Sequence, residues 1–240
     1  AAIEEVSGKA KVIVNIAEQT TVAAVELAKS LEAKGANGLM LLPPMRYAAD
    51  SRETVAYFKA VAEATSLSIM IYNNPVDYKI PITIEMFKEL SKYSNIEAVK
   101  ESSRDITYLT KLKIAFGDRY KILSGVDNLA MESLVMGADG WVAGLVCAFP
   151  AETVAIYRLV KAKRYDEALA IYRWFIPVLE LDVHPKLVQY IKMAEAMTGL
   201  GTEYVRAPRL IVEGDEKENV RTIVAKALET RPTLPDYLSL

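Results

Sequence analysis

The chain has 240 residues, 52% of them hydrophobic, with 29 basic and 31 acidic residues and a formal net charge of −2. That much apolar sequence suffices for one sizeable core, and the balanced, interspersed charge excludes the basic footprint of a nucleic-acid binder or of a protein held on an anionic membrane. The apolar runs fall well short of the ~18 residues of a membrane span, and the single cysteine, Cys147, excludes a disulfide framework within the chain and points to the cytoplasm.

In chain order, AAIEEVSG at 1–8 reads as the last turns of a helix closed by Gly8. Apolar strand-like runs then recur: KVIVNIA (11–17), GLMLLPP (38–44), SIMIYNNP (68–75), IEAVKES (96–102), KILSGVD (121–127) and GWVAGLV (140–146). The segments between them carry apolar residues at helical spacing, with Ser, Thr or Asp near their starts and often Gly near their ends. The runs are apolar on both faces, which predicts parallel strands covered by helices. Six successive βα units fit a TIM-type (β/α) barrel with six of its eight units. A doubly wound open sheet is the alternative, but it would place a Gly-rich phosphate turn after the first strand, and none is present.

After residue 150 the strand pattern stops and four helical patterns follow. The first completes the last barrel unit. The other three predict a C-terminal helical extension, so the expected organisation is a partial barrel over 1–163 and an extension over 164–240.

Two strand ends carry the chemistry. Barrel strands turn alternate residues inward and place active groups at their C-terminal ends. Counting by twos, Tyr72 shares a face with Ser68 and Met70, and Lys100 shares one with Ile96 and Ala98. If both faces point inward, phenol and amine converge at the barrel mouth. A desolvated lysine favours its neutral form and can attack a carbonyl to form a Schiff base. A phenol in reach can move the protons that this chemistry requires. The plainer alternative is a lysine snorkelling into water and a core tyrosine with a wet tip.

Other side chains read as structural. The lone histidine, His184, excludes a His/Cys zinc cluster and reads as a helix-junction or surface residue. Cys147 has no histidine nearby in sequence to activate it and reads as a packing residue. Glu18 and Gln19 either reach a substrate or line a solvated loop. Gly199 and Gly201 read as a helix C-cap, and Trp174 and Phe175 as packing residues.

The combination IYNNP, AVKESS and ILSGVDNLAMESLVMGADGWVAG resembles the dihydrodipicolinate synthase / N-acetylneuraminate lyase family across essentially the whole chain. That resemblance implies a (β/α)₈ class I aldolase in which Lys100 matches the Schiff-base lysine and Tyr72 the proton-shuttling tyrosine. It also implies that Gly125 and the backbone of Val142 contact the bound keto acid, with Tyr47 near a family tyrosine pair. No metal or organic cofactor is implied, because the lysine itself is the electron sink.

This sequence departs from the family pattern at two places. The G-T-T-G-E-like motif of the second family strand is absent, and KVIVNIA resembles the third strand, so two βα units, about 60 residues, are missing from the front. Asp77 stands where lysine-pathway synthases carry arginine. The overall look is closest to enzymes that deaminate 1-pyrroline-4-hydroxy-2-carboxylate in hydroxyproline breakdown. The implied partner is thus a small 2-keto acid or cyclic imine. The alternatives are a pyruvate-type aldolase, a keto-deoxy sugar acid dehydratase or a truncated, non-catalytic barrel. Open apolar edges at KVIVNIA and GWVAGLV further predict a homo-oligomer.

Overall fold

In the computed structural model, which describes residues 1–6 and 8–240, six strands form one sheet in chain order: β1 (Ile13–Ile16), β2 (Gly38–Leu41), β3 (Ser68–Asn73), β4 (Ile96–Glu101), β5 (Lys121–Ser124) and β6 (Gly140–Trp141). β1 pairs with β2, β2 with β3 and β3 with β4, all parallel. The sheet does not close, because its order begins at β1 and ends at β6. Ser7, part of the predicted first helix, lies outside the described residues; the helix itself is present as α1 (Ala2–Val6), followed by Gly8 at φ 81°. Among the described residues no helix is long and apolar enough to cross a membrane.

The chain divides into two units, residues 1–123 and 124–240. In the first, α2 (Thr21–Ala33), α3 (Ser51–Ala64), α4 (Pro75–Tyr78), α5 (Ile84–Leu90) and α6 (Ile106–Phe116) alternate with the strands. Local sequence fixes where they start. Thr20 caps α2 by accepting from Ala23 N, Asp50 and Glu53 form a reciprocal capping box on α3, and Asp105 accepts from Thr107 N at the head of α6. Leu39, Leu41, Ile69, Ile71, Ile96 and Val99 are all essentially inaccessible. Adjacent residues on a strand point to opposite faces, so the burial of both Leu41 and Leu42, or of Ile69, Met70 and Ile71 in succession, requires cover on each side. α2 packs on α3, α3 on α5 and α5 on α6. Beneath them Phe87, Phe116 and Tyr120 meet edge to face at 5.3–6.4 Å, and the Arg119 guanidinium donates to the carbonyls of Ser91, Tyr93 and Ile96.

The second unit holds α7 (Ala130–Val135), α8 (Pro150–Lys161), α9 (Tyr165–Leu179), α10 (Leu187–Met197) and α11 (Gly214–Glu229). Trp174 stacks on Phe175 and meets Phe149 edge-on at 6.0 Å, so the aromatic pair packs as expected. Glu152, 1% exposed, is held by Arg231 from beyond α11, which ties the end of the chain to α8.

Each strand is shorter than its predicted run, and the last departs most. GWVAGLV was expected to run over 140–146, but only Gly140 and Trp141 are strand. Asp127 is the cause. Its fully buried carboxylate accepts from Trp141 Nε1 at 2.9 Å, from Gly144 N at 3.1 Å and from Leu145 N at 2.7 Å. Amides bound to a side chain cannot join a sheet ladder, and residues Leu145–Cys147 turn into a 3₁₀ helix.

Candidate active site

β3 and β4 end side by side, with Tyr72 opposite Lys100 and Asn73 opposite Glu101. An irregularity sets this register. Ile69 pairs with Ile96 but Met70 with Ala98, so Glu97 is the extra residue, and its carboxylate accepts from Ser68 Oγ at 2.9 Å. Without that insertion Tyr72 would face Val99, and the lysine would lie across from Asn73. A one-residue slip of this kind moves side chains to the opposite face of a strand. The bulge therefore creates the Tyr72–Lys100 pairing.

The Lys100 ammonium stands 4.2 Å from the centroid of the Tyr72 ring, and both residues are half-buried. The contact is with the ring face, whereas the sequence predicts an approach of amine to hydroxyl. An amine on an aromatic face is held by the ring quadrupole while its nitrogen stays accessible to an incoming carbonyl. No carboxylate pairs with Lys100 among the described residues.

The Tyr72 hydroxyl is organised by α4, a single turn not anticipated from the sequence. Asn74 caps it, accepting from Asp77 N at 3.2 Å, and Pro75 occupies the first helical position. The Asn74 amide donates to the Asp77 carboxylate at 2.7 Å and to the Tyr72 hydroxyl oxygen at 3.3 Å. Tyr78, at the end of the turn, meets the Tyr72 ring edge-on, with centroids 5.5 Å apart and planes at 88°. The signal was legible in NNPVD, an Asn cap with Pro next and Asp three residues on.

Below this pair the two strand ends are bolted together. Asn73 Nδ2 donates to Glu101 Oε2 at 2.7 Å, Asn73 Oδ1 accepts from Ile82 N at 3.1 Å, and Ser102 N donates to the Asn73 carbonyl at 2.8 Å. Burial raises the Glu101 carboxyl above the usual carboxylate range, and hydrogen bonds from Ser103 and Asn73 partly offset that rise. Ser102 Oγ, two residues beyond Lys100, is buried without a hydrogen-bonding partner among the described residues.

The remaining predicted residues fall as follows. Tyr47 is 58% exposed, and the neighbouring Glu53 carboxylate raises its pKa. Gly125 and Val142 lie in the second unit at neighbouring strand ends, where Val142 N donates to the carbonyl of Ser124 at 2.8 Å. Gln19 accepts from Arg46 at 3.4 Å, and Glu18 lies close enough to Tyr57 to raise that phenol further after burial has done so. His184 caps its own junction by accepting from Lys186 N and stacks on Tyr190. Burial first, then Glu195 and Asp127, push the Cys147 thiol up, away from a reactive thiolate. Gly199 takes φ 77° at the end of α10, as a C-cap does.

Comparison with known proteins places the chain in a family. The sequence model of the dihydrodipicolinate synthetase family matches residues 1–227. The 4-hydroxy-tetrahydrodipicolinate synthase of Exiguobacterium sibiricum is 32% identical over 212 residues, spanning 87% of this chain and 70% of that protein. Among solved structures, the 4-hydroxy-tetrahydrodipicolinate synthase of Methylacidiphilum fumariolicum superposes with a TM-score of 0.89 at 28% identity, covering 95% of this chain and 76% of that one. A catalytic lysine mutant of the Ruminococcus gnavus sialic acid aldolase superposes at 0.86 with 25% identity, covering 95% and 76% respectively.

Proposed function

This chain belongs to the dihydrodipicolinate synthetase family and is a class I aldolase-type lyase; from that premise we propose that Lys100 is its Schiff-base nucleophile and Tyr72 its proton-transferring group. The single observation that carries this reading is the Lys100 amine, which has no carboxylate partner among the described residues and stands 4.2 Å from the Tyr72 ring at adjoining strand ends. The amine attacks the C2 carbonyl of a small 2-keto acid. Carbinolamine formation and loss of water each need a proton delivered or removed, and the Tyr72 hydroxyl stands at the same strand end to do so. The unpartnered Ser102 hydroxyl is available to the substrate carboxylate. Gly125, the Val142 backbone and Tyr47 are further proposed contacts.

The test uses pyruvate and borohydride. Reduction should fix a covalent adduct that maps by peptide mass to Lys100. A folded protein that gains no adduct there overturns the reading.

For the substrate, we propose the deamination of 1-pyrroline-4-hydroxy-2-carboxylate. Lys100 adds to C2 of the cyclic imine, the 4-hydroxyl leaves as one water, and two waters enter as the nitrogen is hydrolysed away. Net consumption is one water, and the products are ammonia and 2-oxoglutarate semialdehyde. Support comes from Asp77, whose carboxylate lies one hydrogen bond from Asn74 and thus near the Tyr72 hydroxyl. A negative charge there opposes a second substrate carboxylate and tolerates a cationic iminium. The second reading, synthase activity, is favoured by the name of the Exiguobacterium relative. Ammonia release from the imine supports the first; condensation of pyruvate with an aldehyde, without ammonia release from the imine, supports the second. We further place the enzyme in the cytoplasm as a homo-oligomer, and sedimentation at micromolar concentration should report a dimer or larger.

A further inference from the structure

Behind the Asn73–Glu101 lock lies a cavity of about 290 Å³ that the proposed reaction does not use. We propose that this cavity is an effector site for a small organic ammonium ion with an apolar body, and that its occupation steadies the strand ends carrying Tyr72 and Lys100. The second half of the proposal rests on the reading that Lys100 forms a Schiff base.

The cavity lies on the other side of the sheet from the reacting pair. Successive strand residues point to opposite faces, so Asn73 and Glu101 point away from the face that carries Tyr72 and Lys100. Asn73 and Ser103 line the cavity, whereas Tyr72, Lys100 and Ser102 do not. Its walls are also the supports of the lock. Ile82 N donates to Asn73 Oδ1 at 3.1 Å, the Tyr108 hydroxyl donates to the Ile82 carbonyl, and Ser103 N donates to Glu101 Oε1 at 2.6 Å. Ile82, Tyr108 and Ser103 all line the cavity, so a molecule seated there touches both loops that hold the two strand ends.

The lining sets the chemistry of the ligand. Pro75, Pro81, Ile82, Ile84 and Tyr108 supply an apolar surface. The Asn73 amide and the Tyr108 hydroxyl already have partners within the lock and ask nothing of a ligand. The charges in the lining are carboxylates: Glu85, which is exposed, and Asp105, which it shares with Lys111 at 3.7 Å. Among the described residues no basic side chain lines the cavity. Burial first, then Glu101 and Glu85, raise the Tyr108 phenol, so the field of these carboxylates reaches the cavity wall. A cation is favoured there and an anion opposed. A zwitterionic amino acid is disfavoured as well, because its carboxylate would meet the same two charges. The volume stands at the small end of the roughly 300–1,000 Å³ of ligand pockets and suits one ring or a short alkyl chain bearing the charge.

Coupling to the reacting pair follows from the shared walls. A ligand shifts an equilibrium only by its differential affinity for the two states. The state in which Ile82 and Ser103 are bound to the lock is the one whose walls enclose the cavity, so the ligand favours the state in which Tyr72 and Lys100 face each other.

The experiment titrates this chain by calorimetry with three molecules of similar shape: N,N-dimethyl-2-phenylethylammonium, neutral 3-phenylpropanol and anionic 3-phenylpropionate. A tertiary ammonium cannot condense with pyruvate, so it does not compete with Lys100. The cation should bind with a Kd on the order of a millimolar, the alcohol several-fold more weakly and the anion not measurably. Glu85→Gln combined with Asp105→Asn, which keeps a capping side chain on α6, should lower affinity for the cation about fivefold to tenfold and leave the alcohol unchanged. Ile84→Trp fills the cavity and should abolish binding of both. With the cation saturating, the pyruvate concentration that half-saturates borohydride trapping at Lys100 should fall about fivefold, the lower end of common coupling strengths. No binding of the cation, equal binding of cation and alcohol, or an affinity unmoved by the variants overturns the site. Binding that leaves pyruvate trapping unchanged overturns the coupling. A wild type that traps no pyruvate overturns the Schiff-base reading, while the titrations still decide the site. Should Ile84→Trp fail to fold, the charge variant decides by itself.

Discussion

Glu101 and Asp127 are both buried carboxylates at or just beyond a strand end, one in each unit, and they use their oxygens differently. Asp127 binds the backbone amides of Gly144 and Leu145 and the indole of Trp141, so it fixes a path of main chain. Glu101 binds the side chain of Asn73 and the amide of Ser103, so it joins the ends of two adjacent strands. The residues immediately before this lock are Tyr72 and Lys100, held opposite each other, with no carboxylate on the amine among the described residues. A carboxylate bound to backbone shapes a loop. One bound across two strands fixes the relative position of the side chains next to it and leaves them free to react.

The comparison can be broken at several points. The largest effect is expected at Lys100. Lys100→Arg keeps a cation over the Tyr72 ring but replaces the nucleophile by a guanidinium that stays protonated. Trapping of pyruvate should fall to background and turnover by on the order of 10³-fold or more, with stability within about 0.5 kcal/mol of wild type. Loss of folding instead would mean that the amine is structural.

Asp127→Asn should cost stability. The new amide group would face main-chain donors and leave at least one buried amide unpaired, a loss of about 3 kcal/mol in urea unfolding. A loss below about 1 kcal/mol would show that the loop holds itself.

Gly144→Ala tests the same loop sterically. A Cβ at Gly144 would sit 2.2 Å from Asp182 Oδ1 and 3.0 Å from Ile191 Cδ1. About 2 kcal/mol of destabilisation is expected, read as a lower melting temperature, because the side chains of Asp182 and Ile191 would have to shift. An unchanged melting temperature would mean that Asp182 swings away freely.

The smallest effect is expected at Glu101. Glu101→Gln keeps one acceptor for Asn73 or Ser103 and should cost about 1–2 kcal/mol. Its pH signature is the sharper test. The folded-state pKa of Glu101 is raised above 4.5, so between these values the folded state binds more protons than the unfolded state. Its contribution is full below the unfolded value and is lost as pH rises through the folded one. The stability difference between wild type and Glu101→Gln should therefore shift against wild type as pH rises from 4.5, then level off. A difference independent of pH would place Glu101 in a wetter site than the one described.

Much of this was legible in the sequence. The β3 and β4 runs are strands that start where their apolar patterns start and end two residues and one residue early, and helix starts were announced by Thr20, Asp50 and Asp105. The β6 segment was misjudged because Trp141, Val142 and Leu145 have strand-like side chains, while the decisive partner, Asp127, lies elsewhere in the sequence. Propensity reads side chains; it does not see which distant acceptor will claim an amide. The turn α4 was missed for another reason: Tyr72 drew attention to the strand end, although the capping pattern of Asn74 and Asp77 was present.

By itself, then, the sequence determined the alternation of strands and helices, because burial on two faces and helical periodicity are written in local composition. It also put a lysine and a tyrosine at two successive strand ends. Only the tertiary structure decided that they face each other. Parity along each strand leaves the offset between strands open, and here the offset changes within the pair, at Glu97, where one extra residue shifts Tyr72 from Val99 to Lys100. The same holds for the amine on the ring face and for Tyr78 beside Tyr72. Those contacts depend on register and on the turn of the chain after Asn74, which arise only when the strands have paired.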